Sequence, residues 1–436
     1  MRKALIITYY WPPSGGSGVQ RWMYFAKYLQ DFGITPIVIT VDEKKASYKY
    51  IDKTFVEQVK DIEVHKTGTW EPLKLYSKLT SGDSQSAIPL GFSGESKPTL
   101  FQKLSRAIRG NLFIPDSRIG WKRFAFKKAK KIIATQKIDV IITTGPPHSA
   151  HLVGLELKKL VDIPWIADFR DPWTDLYYNK FLYRIGLAQK KDENLERKVL
   201  QSADLVLTVG PSMRQHLIQK GGISPKKVHF IYNGFDENDF KNKSVSPDHN
   251  YFTITHIGVL SPSQPIGSFL NAIRFFIDSN HNVCKFLKFR VVGTVAPDLI
   301  NEIKAKISEI NLEFIEYVPK SRAIEYMLTS NLLFNSLPEM EGSELLISGK
   351  LMEYIAADRP ILCLGNPYGD AAELIKDFED CAVFDRGNSE LIVNFLNHLF
   401  QKWINKQQTS AKNKDIQFYS RYETTRKLSV LINTKL

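Results

Sequence analysis

Ser348-Gly349-Lys350-Leu351-Met352-Glu353-Tyr354-Ile355-Ala356-Ala357-Asp358-Arg359-Pro360-Ile361-Leu362 reads as a helix start, a short apolar helix, a turn and a buried strand. Ser348 is an N-cap residue type, and Gly349 opens the first turn with no side chain in the way. A helix start presents unpaired amides and the positive end of the dipole, so it suits an anion such as a diphosphate. Lys350 adds a positive charge there. Glu353 lies four residues beyond Gly349, about one turn deeper on the same face, where its carboxylate can accept two hydroxyl hydrogens. Phosphate at the tip and ribose one turn along is the footprint of a sugar nucleotide. The plain alternative is an amphipathic helix whose Lys and Glu face water.

Outward from this stretch, strand and helix alternate. Phe252–Gly258, Phe286–Gly293, Leu312–Tyr317, Leu332–Ser336, Pro360–Leu364 and Cys381–Phe384 read as strands of one sheet. Leu5–Tyr10, Pro36–Thr40, Asp139–Thr143, Trp165–Asp168, Leu205–Thr208 and Val228–Tyr232 read as strands of another. Helical segments between them imply parallel sheets covered on both faces, so the fold class is α/β with two doubly wound Rossmann-like domains. The expected division is 1–236 for the first domain, with 418–436 packing back on it, and 237–417 for the second. Lys241–Asn250 reads as a polar linker. Ser81–Pro98, rich in Ser, Gly and Pro, reads as a long mobile loop.

In open parallel sheets, ligands lie outside the carboxyl ends of the strands. Three loops of the first domain are therefore candidates. Ser14–Gly18, with Gly16 at its centre, lets backbone approach a substrate or phosphate, and a helix start follows. A dehydrogenase phosphate fingerprint would need a further glycine where Arg21 stands. Thr143–His151 carries two prolines and His148, which is placed either to reach a ligand or to bond within its own loop. Asp168-Phe169-Arg170-Asp171-Pro172-Trp173-Thr174-Asp175 puts three carboxylates, a guanidinium and an indole directly after an apolar strand. Asp171 or Asp168 is the candidate for hydroxyl contacts, and Arg170 for orientation or phosphate contact. A structural clamp between Arg170 and one of these acids is the alternative.

The Ser348–Pro360 segment resembles the donor-binding helix of family 4 retaining glycosyltransferases, in the branch reading SK-L-x-E-Y-x-A-x-x-x-P. The resemblance runs in order along nearly the whole chain, and the Asn233-Gly234 and Glu353 segments are its most specific parts. It implies the GT-B fold, with the terminal helix returning to the first domain. By the same resemblance Glu353 grips the donor ribose, and Ser348, Gly349 and Lys350 face the diphosphate. Gly16 and Gly258 flank the phosphates, and Val318, in Tyr317-Val318-Pro319, lies where backbone holds the nucleobase. Many members carry a further Glu eight residues before Glu353, where this chain has Leu345; Glu344 or Glu341 is the nearest substitute. Many have His-Asp where this chain has Arg170-Asp171. The loop after Gly258 carries neither the Arg nor the Lys common in the family, which leaves Lys350, backbone amides or the other domain to meet the phosphate charge. The implied reaction is front-face transfer with retention, in which the leaving diphosphate helps deprotonate the acceptor and no metal or other cofactor is needed.

The 436 residues and 49.9 kDa require more than one core. Cys284, Cys363 and Cys381 have neither metal-ligand spacing nor a paired framework, which fits a reducing compartment. The N-terminal apolar run is too short for a signal peptide and no window spans a bilayer, so a cytoplasmic location is expected. The net charge of +13 is concentrated: between Phe101 and Lys131 there are ten basic residues against one acid, interleaved with aromatics. Arg118, Trp121, Lys122, Lys127, Lys128 and Lys131 are therefore read as an acceptor-side or membrane surface, peripheral on the inner face of the cell membrane. A solvated helix face is the plainer reading, and no nucleic-acid motif is present. The function expected is transfer of a sugar from a nucleotide sugar to a glycan or lipid-linked acceptor in surface-glycan synthesis. A nucleotide-sugar epimerase of the same fold, or a non-catalytic basic protein on a membrane or polyanion, is the alternative.

Overall fold

The computed structural model describes residues 2–48, 51–71, 100–241, 245, 247, 249–279, 281–407 and 416–436. The expected Ser81–Pro98 loop lies outside these residues, as does part of the expected linker. The chain divides into two units, 1–233 with 421–436, and 234–420.

The first unit holds a seven-stranded parallel sheet of β1 (Arg2–Ile7), β2 (Ile34–Val41), β3 (Glu63–Thr67), β4 (Val140–Gly145), β5 (Trp165–Phe169), β6 (Leu205–Thr208) and β7 (Val228–Phe230), in the order β3-β2-β1-β4-β5-β6-β7. β4, β5 and β6 are buried along their full length and β1 from Ala4 to Ile7, so they read as mainly apolar runs rather than alternating ones. The helix Ser17–Leu29 covers β1 with Val19, Trp22, Met23, Ala26 and Leu29, while the terminal helix Arg421–Lys435 adds Leu428 and Ile432 to the same core. Arg2 Nη1 donates to the Ile432 carbonyl at 2.6 Å, fastening that helix to the first strand.

The second unit holds β8 (Phe252–Ile257), β9 (Leu287–Val292), β10 (Asn311–Ile315), β11 (Leu332–Ser336), β12 (Ile361–Leu364) and β13 (Cys381–Phe384), also parallel, in the order β10-β9-β8-β11-β12-β13. Its core stacks Phe269 on Phe334 at 3.9 Å between ring centres, with Phe289 and Phe252 around them. Each sheet reverses its strand order once, between β1 and β4 and between β8 and β11. Loops diverge there, and the crevice they leave is where doubly wound sheets bind ligands.

Candidate functional site

In the second unit the crevice edge begins with two glycines. Gly258 after β8 has φ +109° and Gly293 after β9 has φ +124°, conformations that strain any residue with a Cβ. A methyl on Gly293 would stand 2.4 Å from the Gly258 carbonyl oxygen, so these two turns touch backbone to backbone. The Lys350 stem lies over Gly258; a methyl there would be 2.6 Å from Lys350 Cε. Among the described residues Lys350 Nζ is bonded to the Val259 carbonyl alone, at 3.4 Å. Burial presses its ammonium down to about 8, against the pull of Cys363 and Glu353.

Lys350 belongs to the helix Gly349–Ala356, which Ser348 caps by accepting from the Lys350 amide at 3.4 Å. Gly349 is exposed, and nothing lies within 4 Å of where its Cβ would be. Glu353 is half-buried one turn deeper, with Oε1 at 3.7 Å from Lys320 Nζ, and Lys320 is bonded more tightly to Asp239. Tyr354 anchors the helix from beneath: its hydroxyl accepts from the Ile257 amide at 3.0 Å and donates to the Phe334 carbonyl at 3.2 Å. Val318 is half-buried just past β10, beside the exposed Tyr317. Glu344 and Glu341 are both exposed, Glu344 in the short turn Ser343–Leu345. Beside this loop, past β12 and β13, opens a cavity of about 730 Å³ lined by Glu339, Ser343, Asn366 and Arg386 among others.

In the first unit the carboxyl ends of β1, β4 and β5 converge. Gly16, with φ +92°, leads into the helix Ser17–Leu29. Arg170 draws three loops together: Nη1 donates to the Gly18 carbonyl, Nη2 to the Pro146 carbonyl, and Nε to the Gly145 carbonyl at 3.1 Å. Among the described residues its hydrogen bonds go to backbone and not to its neighbouring acids, which it meets only through charge. Asp168 is fully buried and both its oxygens are used. Oδ1 accepts from Arg21 at 3.1 and 3.2 Å, and Oδ2 from Trp22 Nε1 at 2.6 Å and Thr144 Oγ1 at 2.9 Å. That leaves no oxygen for a substrate hydroxyl and makes Asp168 a brace between β5, β4 and the first helix. Asp171 is half-buried, makes no side-chain bond among the described residues, and has its carboxyl raised by burial, with Arg170 opposing and Asp168 adding. Asp175 is held by His216 and Lys220 down to about 2.

His148 is 4% exposed and stacks on Trp173 at 5.0 Å with 8° between planes. His151 stacks on Phe169 at 4.5 Å and meets Thr143 Oγ1 at 2.8 Å through Nδ1. Gly145 permits this, since a methyl there would stand 2.7 Å from both imidazoles. Burial first, then His151 and Arg170, hold His148 well below the ordinary histidine range, so its ring is neutral.

The expected membrane surface needs correcting at its first three residues. Trp121 is fully buried, edge-on to Tyr9, with Nε1 donating to Thr67 Oγ1 at 2.8 Å. Arg118 is bonded to Glu71 at 2.7 Å and to the Ser47 carbonyl, and Lys122 to Glu156 at 2.6 Å. The indole faces inward because the helix Lys122–Thr135 turns Ala125, Ala129 and Ile132 to the core directly after it. Lys127 and Lys131 are exposed and Lys128 half-buried. The residue that sequence reasoning missed is Arg21, which joins Asp168 to the Ile231 carbonyl at 2.8 Å and to Asn233 at 3.1 Å. Its one sequence signal was a charge on an otherwise apolar helix face. Among the described residues no cluster of three or more His, Cys, Asp or Glu is arranged to hold a metal ion, and no helix is long and apolar enough to cross a membrane.

Residues 91–239 match the model of Glycosyltransferase Family 4. No curated protein matches the sequence. Among solved structures, the chain is similar to Anabaena Alr3699/HepE in complex with UDP and glucose, at 16% identity and a TM-score of 0.60, with all of each chain covered. It is similar to a glycosyltransferase from Rickettsia africae, at 16% identity and 0.62, covering all of this chain and 98% of that one. It is also similar to the lipopolysaccharide outer core galactosyltransferase WaaB, at 12% and 0.60, with both chains covered in full. The two parallel sheets are those of the GT-B glycosyltransferases.

Proposed function

We propose that the chain, whose residues 91–239 match the Glycosyltransferase Family 4 model and whose fold is GT-B, moves a sugar, with retention, from a nucleotide-diphosphate sugar to an acceptor hydroxyl. One observation carries the reading: a lysine lies over the φ-positive Gly258 at the open start of a helix, with a carboxylate one turn deeper. The helix start and Lys350 take the diphosphate and stabilise the charge that develops on it as the glycosidic bond breaks. Glu353 exchanges its long contact with Lys320 for two ribose hydroxyls. Val318 offers backbone to the base, and Glu344 or Glu341 the sugar. In the first unit Gly16 gives a close backbone approach and Asp171 accepts from a hydroxyl, while Arg170 keeps the three loops in register and His148 offers a neutral ring. The leaving diphosphate takes the acceptor proton, so a dedicated nucleophile and a metal have no part in the scheme.

The HepE structure holds UDP and glucose, and WaaB acts on lipopolysaccharide core; these support a nucleotide sugar as donor and a glycan or lipid-linked acceptor in surface-glycan synthesis, taken at the inner face of the membrane. Thermal-shift screening of UDP-, GDP- and ADP-sugars tests the donor half. A shift with one class, lost in Glu353→Ala, is expected; a full shift in that variant displaces the site. Free isomerised nucleotide sugar without any acceptor would instead make the protein an epimerase, and no shift with any donor would make it a binding protein.

A further inference from the structure

The helix Leu100–Leu112 turns its apolar stripe the wrong way for a domain surface. Leu100, Leu104, Ile108 and Leu112 recur every four residues and form one winding ridge, and each is between 37% and 84% exposed. The buried positions lie on the opposite side. Arg106 is buried there, and Gly110 packs so tightly that a methyl on it would stand 2.4 Å from the Leu182 carbonyl oxygen. An ordinary amphipathic helix buries its apolar stripe against the core.

A second segment extends the ridge. The Asn111 side chain donates to the Tyr183 carbonyl at 3.0 Å and accepts from the Ile185 amide at 2.8 Å, which fixes this segment beside the last turn of the helix. Tyr183, Ile185 and Leu187 are between 42% and 79% exposed. Neither Leu100–Leu112 nor Tyr177–Lys191 contains a single Asp or Glu, whereas Lys103, Lys180, Lys190 and Lys191 are exposed cations around the apolar residues. The nearest acid, Asp192, is buried and bonded to Arg184 at 2.5 Å.

We propose that this composite ridge seats the protein on an anionic bilayer, its leucines and isoleucines in the headgroup–acyl boundary and its lysines against lipid phosphates. A patch whose exposed charges are all positive around an apolar stripe complements an anionic lipid surface. Within and beside the basic stretch Phe101–Lys131 the contact therefore lies on Leu100–Leu112 and Tyr183–Leu187, rather than on Arg118, Trp121, Lys122, Lys127, Lys128 and Lys131. The proposal deepens the lipid-linked acceptor reading, and it is tested without donor, so its failure leaves the transfer reading standing.

The full-length protein is co-sedimented with phosphatidylcholine vesicles with and without phosphatidylglycerol. Binding only to the anionic vesicles, weakened by salt, is expected. Leu104→Gln/Leu112→Gln/Ile185→Gln should lose it by roughly tenfold or more, with melting temperature and elution volume unchanged. Lys127→Glu/Lys128→Glu/Lys131→Glu should retain most of it. Wild-type protein that ignores anionic vesicles, or a ridge variant that binds as wild type does, overturns the proposal. So does a ridge variant whose melting temperature or oligomeric state changes, since the ridge would then be covered by this chain or by a second copy.

Discussion

Lys350 is held near the pH at which it loses its charge, and that makes the donor site titratable. Burial lowers its ammonium from the usual lysine range to about 8. A diphosphate prefers the charged form, so donor affinity should be full below pH 7 and fall as pH rises through about 8. Measuring the thermal shift by the preferred nucleotide sugar from pH 6.5 to 9.5 checks this. Lys350→Arg, charged throughout, should flatten the profile, and an unchanged slope in that variant removes Lys350 from the phosphate. Asp168 makes the opposite case. Asp168→Asn leaves Arg21 buried against a neutral amide and should cost about 3–5 kcal/mol of stability, read by denaturant unfolding. A loss below about 1 kcal/mol would show that the pair is dispensable. Sequence alone could not separate Asp168 from Asp171: three carboxylates follow one strand, and which is consumed internally is settled by Arg21, 147 positions earlier.

Elements with strong apolar runs were legible, and those held by their neighbours were not. β1, β4, β5 and β6 read directly as buried strands, and the helix after Ser348 as a capped start. β3 did not, because Glu63-Val64-His65-Lys66-Thr67 is an edge strand with one buried residue and has neither an apolar run nor clean alternation. The inward turn of Trp121 was equally hidden, since a basic aromatic stretch has the same composition whichever way its indole faces. The Gly349–Ala356 helix owes its place to Tyr354, whose hydroxyl joins β8 to β11. Tyr354→Phe orphans the buried Ile257 amide, takes from the Phe334 carbonyl one of its donors, and should cost about 1–3 kcal/mol. Hydrogen exchange would locate that loss at the end of β8 and in this helix. Exchange rates equal to wild type there would mean that apolar packing alone docks it.

Across the molecule, both sheets follow one rule of strand order, and that much follows from alternating strands and helices. What alternation cannot convey is where neutral histidines are sealed inside. His148 and His151 in the first unit and His256 in the second are all buried and lowered, His151 and His256 to about 3. Unfolded, each takes up a proton near pH 6.5; folded, it does not until far lower, so stability is lost as pH falls from 6.5 toward 3. In the first unit this is partly offset by Asp116, Asp171, Glu196 and Asp192, the last raised to about 6. These buried carboxyls bind protons more readily folded than unfolded and so lose stability as pH rises through the same window. His256 in the second unit faces Lys350, which also disfavours its charge, and the Phe334 carbonyl, which accepts from Nδ1 at 3.1 Å. His256 should therefore loosen the second unit on acidification. Exchange mass spectrometry between pH 7 and 4.5, corrected for intrinsic rates, should show protection falling in β8 and β11. His256→Asn should lower protection somewhat at pH 7 yet flatten its decline. A variant whose protection falls with the wild-type slope would acquit His256 and move the acid response to the surface charges.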